Sequence, residues 1–507
     1  MSLSKVNSCG LLGIDGYIIS VETDISNGIP SFEIVGLPDT AVRESKERIR
    51  SAVKNSGLIM PAKKITVNLA PANIKKGGAY LDLPIAMGIL LATKQTVLAQ
   101  DAVFIGELAL DGALRGADGV LPMVISAAKN GIKRAFVPFE NAREAGVVKG
   151  IEIYGARSLD EILLHLTGQK EIEPFVTDTE ELFSTAEKYL YDFAEVKGQE
   201  QVKRALEIAA AGGHNILMIG PPGSGKTMLA QRVPTILPDL SFDEALEVTK
   251  IHSISGVLES PLVTARPFRS PHHTISAVGL SGGGTNPRPG EISLAHNGVL
   301  FLDELPEFHR DALEVLRQPL EDQKVTISRA GGTFAFPSNF MLVASTNPCP
   351  CGFNGDPSHE CKCTQAQIQK YIGKISGPLL DRIDIHIEVP AVKYEDLETR
   401  CSAEKSADIK ARVDKARKLQ LERYKDTGVY SNSMLTPALI EKYCELDEKT
   451  NALLKNAFDS LGLSARAHNR ILKVARTVAD LEGREKIEAK DILEAIQYRT
   501  LDRKFSL

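Results

Sequence analysis

The sequence has no apolar stretch long enough to cross a bilayer; its hydrophobic runs are short and repeatedly broken by charge. Its first residues, Met-Ser-Leu-Ser-Lys, lack the basic-then-apolar form of a secretory signal, so the expected location is cytoplasmic, with no membrane partner. An excess of positive charge is missing too. The formal net charge of −5 argues against whole-surface attraction to nucleic acid and confines any such contact to local basic loops. Cysteine is scarce, at seven residues in 507, which fits a reducing compartment. Four of the seven are clustered, which points to a metal more than to disulfides. No internal repeat or long low-complexity segment is present. What remains, 43% hydrophobic and 25% charged residues, is the composition of a soluble globular chain of roughly three domains.

Residues 1–165 alternate β-like runs (17–21, 32–35, 65–69, 103–105 and 134–137) with helix-like stretches, clearest over 43–56 and 81–92. That pattern predicts an α/β or α+β domain of its own. The stretch 166–190 is polar and acidic with little periodicity, as expected of a linker. A core domain follows over 191–395. From 396 to 507 the pattern is helical: 406–424, a helix with Thr436 as N-cap and Pro437 in its first turn, then 464–481 and 489–501.

The core domain carries the chemistry. Residues 220–227 read Gly220-Pro221-Pro222-Gly223-Ser224-Gly225-Lys226-Thr227, directly after the apolar run 215–219 and directly before a helix-like segment. Strand, glycine-rich loop and helix start are the context a phosphate loop needs. Backbone N–H groups and the helix N-terminus cradle a polyphosphate, Lys226 reaches the β- and γ-phosphates, and Thr227 offers a hydroxyl to Mg²⁺. The expected ligands are therefore ATP and Mg²⁺. Downstream, the apolar run 298–302 delivers Asp303-Glu304. Asp303 suits the Mg²⁺ shell and Glu304 the general base that polarises the attacking water. A third strand over 340–344 ends in Ser345-Thr346-Asn347, where Asn347 is placed to orient that water.

The order of these segments resembles the AAA+ ATPases related to magnesium chelatase, and more narrowly the ComM (YifB) proteins, DNA-dependent motors of bacterial recombination and transformation. The resemblance covers essentially the whole chain. It rests on Asp192-Phe193 with Val196-Lys197-Gly198-Gln199, on Phe268-Arg269-Ser270-Pro271-His272-His273, on 290–297, and on 376–384 with Leu379-Leu380-Asp381-Arg382-Ile383-Asp384. The phosphate loop alone is shared by many families; the His-His and Leu-Leu-Asp-Arg-Ile-Asp stretches are far more specific. The resemblance implies an AAA+ core with a parallel sheet, a helical lid and a homo-hexamer. It implies Arg382 as an arginine finger reaching the neighbouring subunit's site, against the plainer reading of a salt bridge to Asp381 or Asp384. It also implies Arg466 as a second sensor arginine, with Arg470 one turn later as the rival.

Two segments look like tools for gripping DNA. Residues 324–337 alternate around Ala330-Gly331-Gly332 and predict a β-hairpin with Lys324 at its base and Arg329 at its tip, where related helicases carry a basic pore hairpin. Residues 264–290, rich in Gly, Pro and Arg, predict a flexible basic loop in which Arg266, Arg269, His272, His273 and Arg288 meet phosphates. An ordinary turn and a solvated loop are the plainer readings. The cysteines Cys349, Cys351, Cys361 and Cys363 form a C-x-C-x9-C-x-C array that could close a tetrahedral zinc site, with His359 as a substitute ligand, or stand as reduced thiols.

Residues 71–121 resemble the proteolytic domain of Lon-type proteases. Tyr80 holds the position of the nucleophilic serine, and 119–122, where the partner lysine belongs, reads Gly-Val-Leu-Pro. A Ser–Lys dyad needs both groups, so the fold is expected without the protease. Lys75, Lys76 and Arg115 are left as candidate contacts to nucleic acid or a neighbouring subunit. Besides a DNA translocase, two alternatives stand: a chelatase-like metal-insertion motor, and a protein-remodelling factor using Phe334 and Phe336 in its pore.

Overall fold

Alternating apolar and polar residues run from the N-terminus to Ser26, interrupted at Gly13-Ile14, and they form two long strands, β1 (Ser2–Leu12) and β2 (Asp15–Ser26). These pair antiparallel, from Ser2 opposite Ile25 to Leu12 opposite Asp15. The computed structural model describes residues 2–97, 99, 101–185, 189–284, 287–329, 332–356, 359–391, 403–461 and 463–500. The boundary expected at 395/396, the hairpin turn at 330–331 and Cys401 lie outside them.

Further strands β3 (Ser31–Val35), β4 (Lys64–Ala70), β5 (Ala102–Phe104), β6 (Arg134–Pro138) and β7 (Glu152–Ala156) complete a seven-stranded sheet of order β3-β4-β2-β1-β5-β6-β7. Its β1–β2 and β2–β4 pairs are antiparallel and the others parallel. Helix Thr40–Asn55 opens where Asp39 accepts a hydrogen bond from Val42 N at 2.9 Å, and its Val42, Ile49, Ala52 and Val53 go into the core.

The chain builds two compact units, and neither is continuous in sequence. The first comprises Met1–Ala186, Phe242–Thr264 and Thr326–Phe336; the second comprises Glu187–Ser241, Ala265–Val325 and Pro337–Leu507. Helix Phe242–Ser255 buries Ala245, Val248, Ile251 and Ile254 at three-residue spacing and packs on helix Val120–Lys129. Gly119 N donates to Ser253 O at 3.0 Å, and Ser253 Oγ donates to the buried Glu144 carboxylate at 2.9 Å. The expected linker is partly folded as well. Phe175 N donates to Ile153 O at 2.7 Å, Thr177 Oγ1 to Arg143 O at 2.7 Å, and Thr179–Thr185 is helical. Strands β11 (Lys324–Arg329) and β12 (Gly332–Pro337) pair in a two-stranded sheet that falls in this unit except for Lys324, Val325 and Pro337.

In the second unit, β8 (Ile216–Ile219), β9 (Phe268–Arg269), β10 (Val299–Leu302), β13 (Met341–Thr346) and β14 (Ile385–Glu388) form an all-parallel sheet of order β9-β10-β13-β8-β14. Every residue of β8, β10 and β13 is buried, as parallel strands covered on both faces require. The mixed α/β architecture, with a parallel core sheet and a helical C-terminal region, is the one the sequence predicts. The C-terminal helices are Ser406–Arg423, Pro437–Tyr443, Glu448–Leu461, Ala465–Leu481 and Ala489–Gln497. Buried Asp480 joins three of the C-terminal segments: it takes hydrogen bonds from Arg423 at 2.6 and 2.9 Å, Arg476 at 3.1 Å and Asn432 at 2.9 Å. Among the described residues, no helix is long and apolar enough to cross a membrane.

Candidate nucleotide site

Parallel pairing aligns the strand ends. Ile219 lies opposite Thr346, and Leu302 opposite Ala344, so Gly220, Asp303, Ser345 and Asn347 emerge at one edge of the sheet. Between Ile219 and helix Lys226–Ile236 the chain turns through Gly223 and Gly225, at φ +77° and +84°, values that favour glycine. Lys226 Nζ lies inside the loop it closes. It donates to Gly220 O at 2.8 Å and Pro221 O at 2.9 Å, and sits 3.3 Å from Asn347 Oδ1. Burial lowers its pKa, opposed by the charges of Asp303 and Glu304.

Thr227 Oγ1 donates to Asp303 Oδ2 at 2.8 Å, so the hydroxyl and carboxylate suited to Mg²⁺ are adjacent. Asp303 Oδ1 accepts from Ser345 Oγ and, at 3.1 Å, from Glu304 N. Glu304 has left-handed backbone (φ +53°), and its half-exposed side chain lies with Oε2 4.0 Å from His273 Nδ1. Lys226, Thr227, Asp303, Glu304 and Asn347 therefore converge.

Three contributors go unread in the sequence. Ser345 was seen only as part of a strand end; the β10–β13 register puts it on Asp303. Gln199 Nε2 donates to Ser224 O at 2.8 Å from a position with φ +58°, holding the phosphate loop from outside. Tyr371 is buried beside Thr346 and Asn347, and burial pushes its phenol up to about 12. Gln199 ends one of the stretches that carry the resemblance but has no role legible there, and nothing local in the sequence marks Tyr371.

The basic candidates separate. Arg382 is bonded to neither Asp381 nor Asp384; it pairs with Glu321 and donates to Pro378 O at 2.6 Å. Arg470 pairs with Asp384, which also lies 3.3 Å from His214 Nδ1. Arg466 is 62% exposed and forms only a long pair, 3.9 Å, with Asp381. Among the described residues of 264–284 and 287–290, the arginines Arg266 and Arg269 are held by specific partners. Arg266 donates to Pro238 O and, at 2.7 Å, to Asn297 O; Arg269 forms a bidentate pair with Glu291 at 2.7 and 2.8 Å. The His272 and His273 rings meet tilted, with centres 4.1 Å apart, in a turn where His272 is exposed and His273 faces Glu304. Lys76 is 1% exposed and drops out as a partner contact, whereas Lys75 is exposed and Arg115 faces Glu107 at 3.8 Å.

The four array cysteines meet with all sulfurs within 4.8 Å of one another, three pairs standing 3.3, 3.6 and 3.7 Å apart. A tetrahedral zinc thiolate needs about 3.8 Å between sulfurs at its ~2.3 Å bond length, so the donor set fits. A hydrogen bond from the Phe353 backbone draws the Cys351 thiol down to about 6, whereas Cys361 and Cys363, beside Cys349 and Cys351, are shifted up. His359 is outside the cluster; it stacks on Phe353 at 4.7 Å and faces Asp356. Among the described residues this is the one cluster of three or more His, Cys, Asp or Glu side chains close enough to share an ion.

A parallel sheet, a phosphate loop between strand and helix, a polar residue at the end of the adjoining strand and an acidic pair at the end of the strand beyond it define the AAA+ class. Family profiles agree: "Magnesium chelatase, subunit ChlI" matches residues 192–397, "Subunit ChlI of Mg-chelatase" 21–141, and "Magnesium chelatase, subunit ChlI C-terminal" 403–499. Competence protein ComM of Haemophilus influenzae is 44% identical across 99% of this chain and 98% of its own length. YifB of Escherichia coli is 43% identical over the same shares, and the magnesium-chelatase subunit ChlI of Mesostigma viride 24% across 61% of this chain and 86% of its own. The chain belongs to the ComM/YifB family of magnesium-chelatase-related AAA+ proteins.

The two lid arginines are separable by stability. Burial alone would raise the Asp384 carboxyl, but Arg470, His214 and Lys473 outweigh it and hold it well below the usual range. Such a carboxylate stabilises the fold above its unfolded pKa of about 3.9 and loses that contribution as pH falls. Arg470→Ala is therefore expected to cost about 3–5 kcal/mol at pH 7, a deficit that narrows below about pH 4, while Arg466→Ala stays within about 0.5 kcal/mol. Urea titrations of both variants at pH 7 and below pH 4 check this.

Proposed function

We propose that the chain is an ATP-hydrolysing motor that assembles as a cytoplasmic homo-hexamer and moves single-stranded or branched DNA, in recombination or natural transformation. The convergence of Lys226, Thr227, Asp303, Glu304 and Asn347 carries the reading. Lys226 exchanges its backbone carbonyls for the β- and γ-phosphates, and loop N–H groups bind the remaining oxygens. Thr227 and Asp303 hold the Mg²⁺, which neutralises phosphate charge. Glu304 takes the proton of the attacking water that Asn347 orients. Arg382 leaves Glu321 to stabilise transition-state charge in the neighbouring subunit, and Arg466 closes on the γ-phosphate from the lid. A heterologous interface that closes on itself gives the ring. The competence role in the name of the Haemophilus relative supports DNA as the partner. Arg329 and Lys324, both exposed, suit backbone phosphates. The four cysteines hold zinc as a structural ion. Tyr80 in place of a nucleophile makes the N-terminal domain non-proteolytic.

A chelatase-like motor is the second reading, favoured by the name the three profiles share. Of the two aromatics on which the protein-remodelling reading rests, Phe336 is fully buried and Phe334 half-buried.

Glu304→Gln and Arg382→Ala proteins are each expected to be inactive ATPases, yet to regain activity when mixed, because some interfaces then carry one intact copy of each residue. No rescue, with subunit exchange demonstrated, would count against a shared site.

Arg329→Ala should keep basal ATPase but lose most stimulation by forked or single-stranded DNA, weakening binding about equally for all sequences and lowering its salt dependence by about one phosphate contact. ATPase rates with and without DNA across a salt series measure this; normal stimulation would make the hairpin purely structural, and stimulation by a chelatase partner instead of DNA would favour the second reading.

Elemental analysis should find about one zinc per chain, lost together with thermal stability in Cys361→Ser.

A further inference from the structure

The cysteine-bearing loop returns to the nucleotide site at three places. It starts at Asn347, whose Oδ1 lies 3.3 Å from Lys226 Nζ, and Cys349 follows two residues later. It ends at Cys363, directly before Thr364, which caps helix Gln365–Ile372 in a reciprocal capping box. That helix brings Tyr371 back beside Thr346 and Asn347, where it is buried. Between these ends, a turn closed by Gly352 N donating to Cys349 O at 3.0 Å sits directly on the phosphate loop. A Cβ built on Gly352 would lie 2.5 Å from Pro222 Cδ and 2.7 Å from its Cγ. No methyl fits there unless Pro222 moves.

An ion held by Cys349, Cys351, Cys361 and Cys363 would close this loop between the strand end and the helix. It would thereby fix Gly352 against Pro222 and Asn347 against Lys226. We propose that the cysteine centre is a positioning element for the nucleotide site: with its metal bound it holds Pro222 and Asn347 in the arrangement that accepts ATP, and metal loss weakens ATP binding even where the chain remains folded. This rests on the reading of the cysteines as a metal site. It adds that the metal acts on nucleotide affinity and not on stability alone.

Two glycines of the same loop make the test. Gly352 and Gly355 both have φ +86°, so alanine strains the backbone equally at either, but a Cβ on Gly355 meets nothing within 4 Å. Kd for a fluorescent ATP analogue, metal per chain and thermal unfolding are measured for wild type, Gly352→Ala, Gly355→Ala, Pro222→Ala and Gly352→Ala/Pro222→Ala. Gly352→Ala should keep its metal and raise Kd about tenfold, the size of an ordinary overpacking clash. Gly355→Ala should bind ATP as wild type does. In the Pro222→Ala background, adding Gly352→Ala should change Kd little, because the atoms it strikes are gone. Stripping the wild type with a chelator should raise Kd at a temperature where circular dichroism shows it folded, and Zn²⁺ should restore it.

Equal losses in Gly352→Ala and Gly355→Ala, or wild-type affinity in a Gly352→Ala protein that retains metal, overturn the proposal. If Gly352→Ala sheds its metal, the stripped wild type decides, and unchanged affinity there overturns it. Wild-type protein without metal defeats the metal reading itself, whereas a loaded wild type with unresponsive affinity defeats only this inference.

Discussion

The register of the parallel sheet is the constraint on which the nucleotide site depends. The three central strands deliver the phosphate loop, Asp303 and Asn347 to the same edge because Ile219, Leu302 and the end of β13 are aligned by backbone hydrogen bonds. Slipping β10 by one residue would turn Asp303 to the opposite face, away from Thr227 and Ser345. Asn215 reinforces the alignment just before β8: its side chain accepts from Leu342 N at 2.8 Å and donates to Arg382 O at 3.2 Å, and its carbonyl accepts from Ile385 N at 3.1 Å. The same residue thus ties down the strand beside the phosphate loop and the stretch that carries Arg382.

Much of this was legible without coordinates. The phosphate loop and the acidic pair each sit beside a short, fully apolar run, and such runs have one use in an α/β protein, as strands buried on both faces. Asn347 was reached by the same logic. The supporting residues were not, because their roles arise from pairing across long separations in sequence. Ser345 serves Asp303 only through the neighbouring register, and Gln199 serves Ser224 from the start of another helix. The arginines of 264–290 illustrate the opposite failure. A Gly- and Pro-rich composition suggests a loose loop, yet Glu291 holds Arg269, and the carbonyls of Pro238 and Asn297 hold Arg266. Composition reports how freely a backbone can bend; it does not report what partner waits for each side chain.

Buried charge does in the helical region what apolar packing does in the sheet. Asp480 accepts from residues of three different C-terminal segments, and Asp384 connects the end of the core to the lid helix Ala465–Leu481 through Arg470. Paired carboxylates of this kind contribute little net stability over an apolar replacement, but they tolerate few alternative arrangements. They make the orientation of the lid helix specific, and with it the direction in which Arg466 extends.

The interleaving of the two units bears on how the protein is made. Domains usually fold in the order in which they leave the ribosome, the N-terminal one first. Here the seven-stranded sheet is available early, but the helix that covers Val120–Lys129 arrives with residues 242–255, and the last segment of that unit ends at Phe336. By then β8, the phosphate loop and β10 have already been synthesised, so the nascent chain must keep one unit unfinished while it begins the other. For most of its synthesis, then, the polypeptide carries apolar surface awaiting a segment not yet translated, and a ribosome stalling between residues 186 and 336 would release neither unit complete.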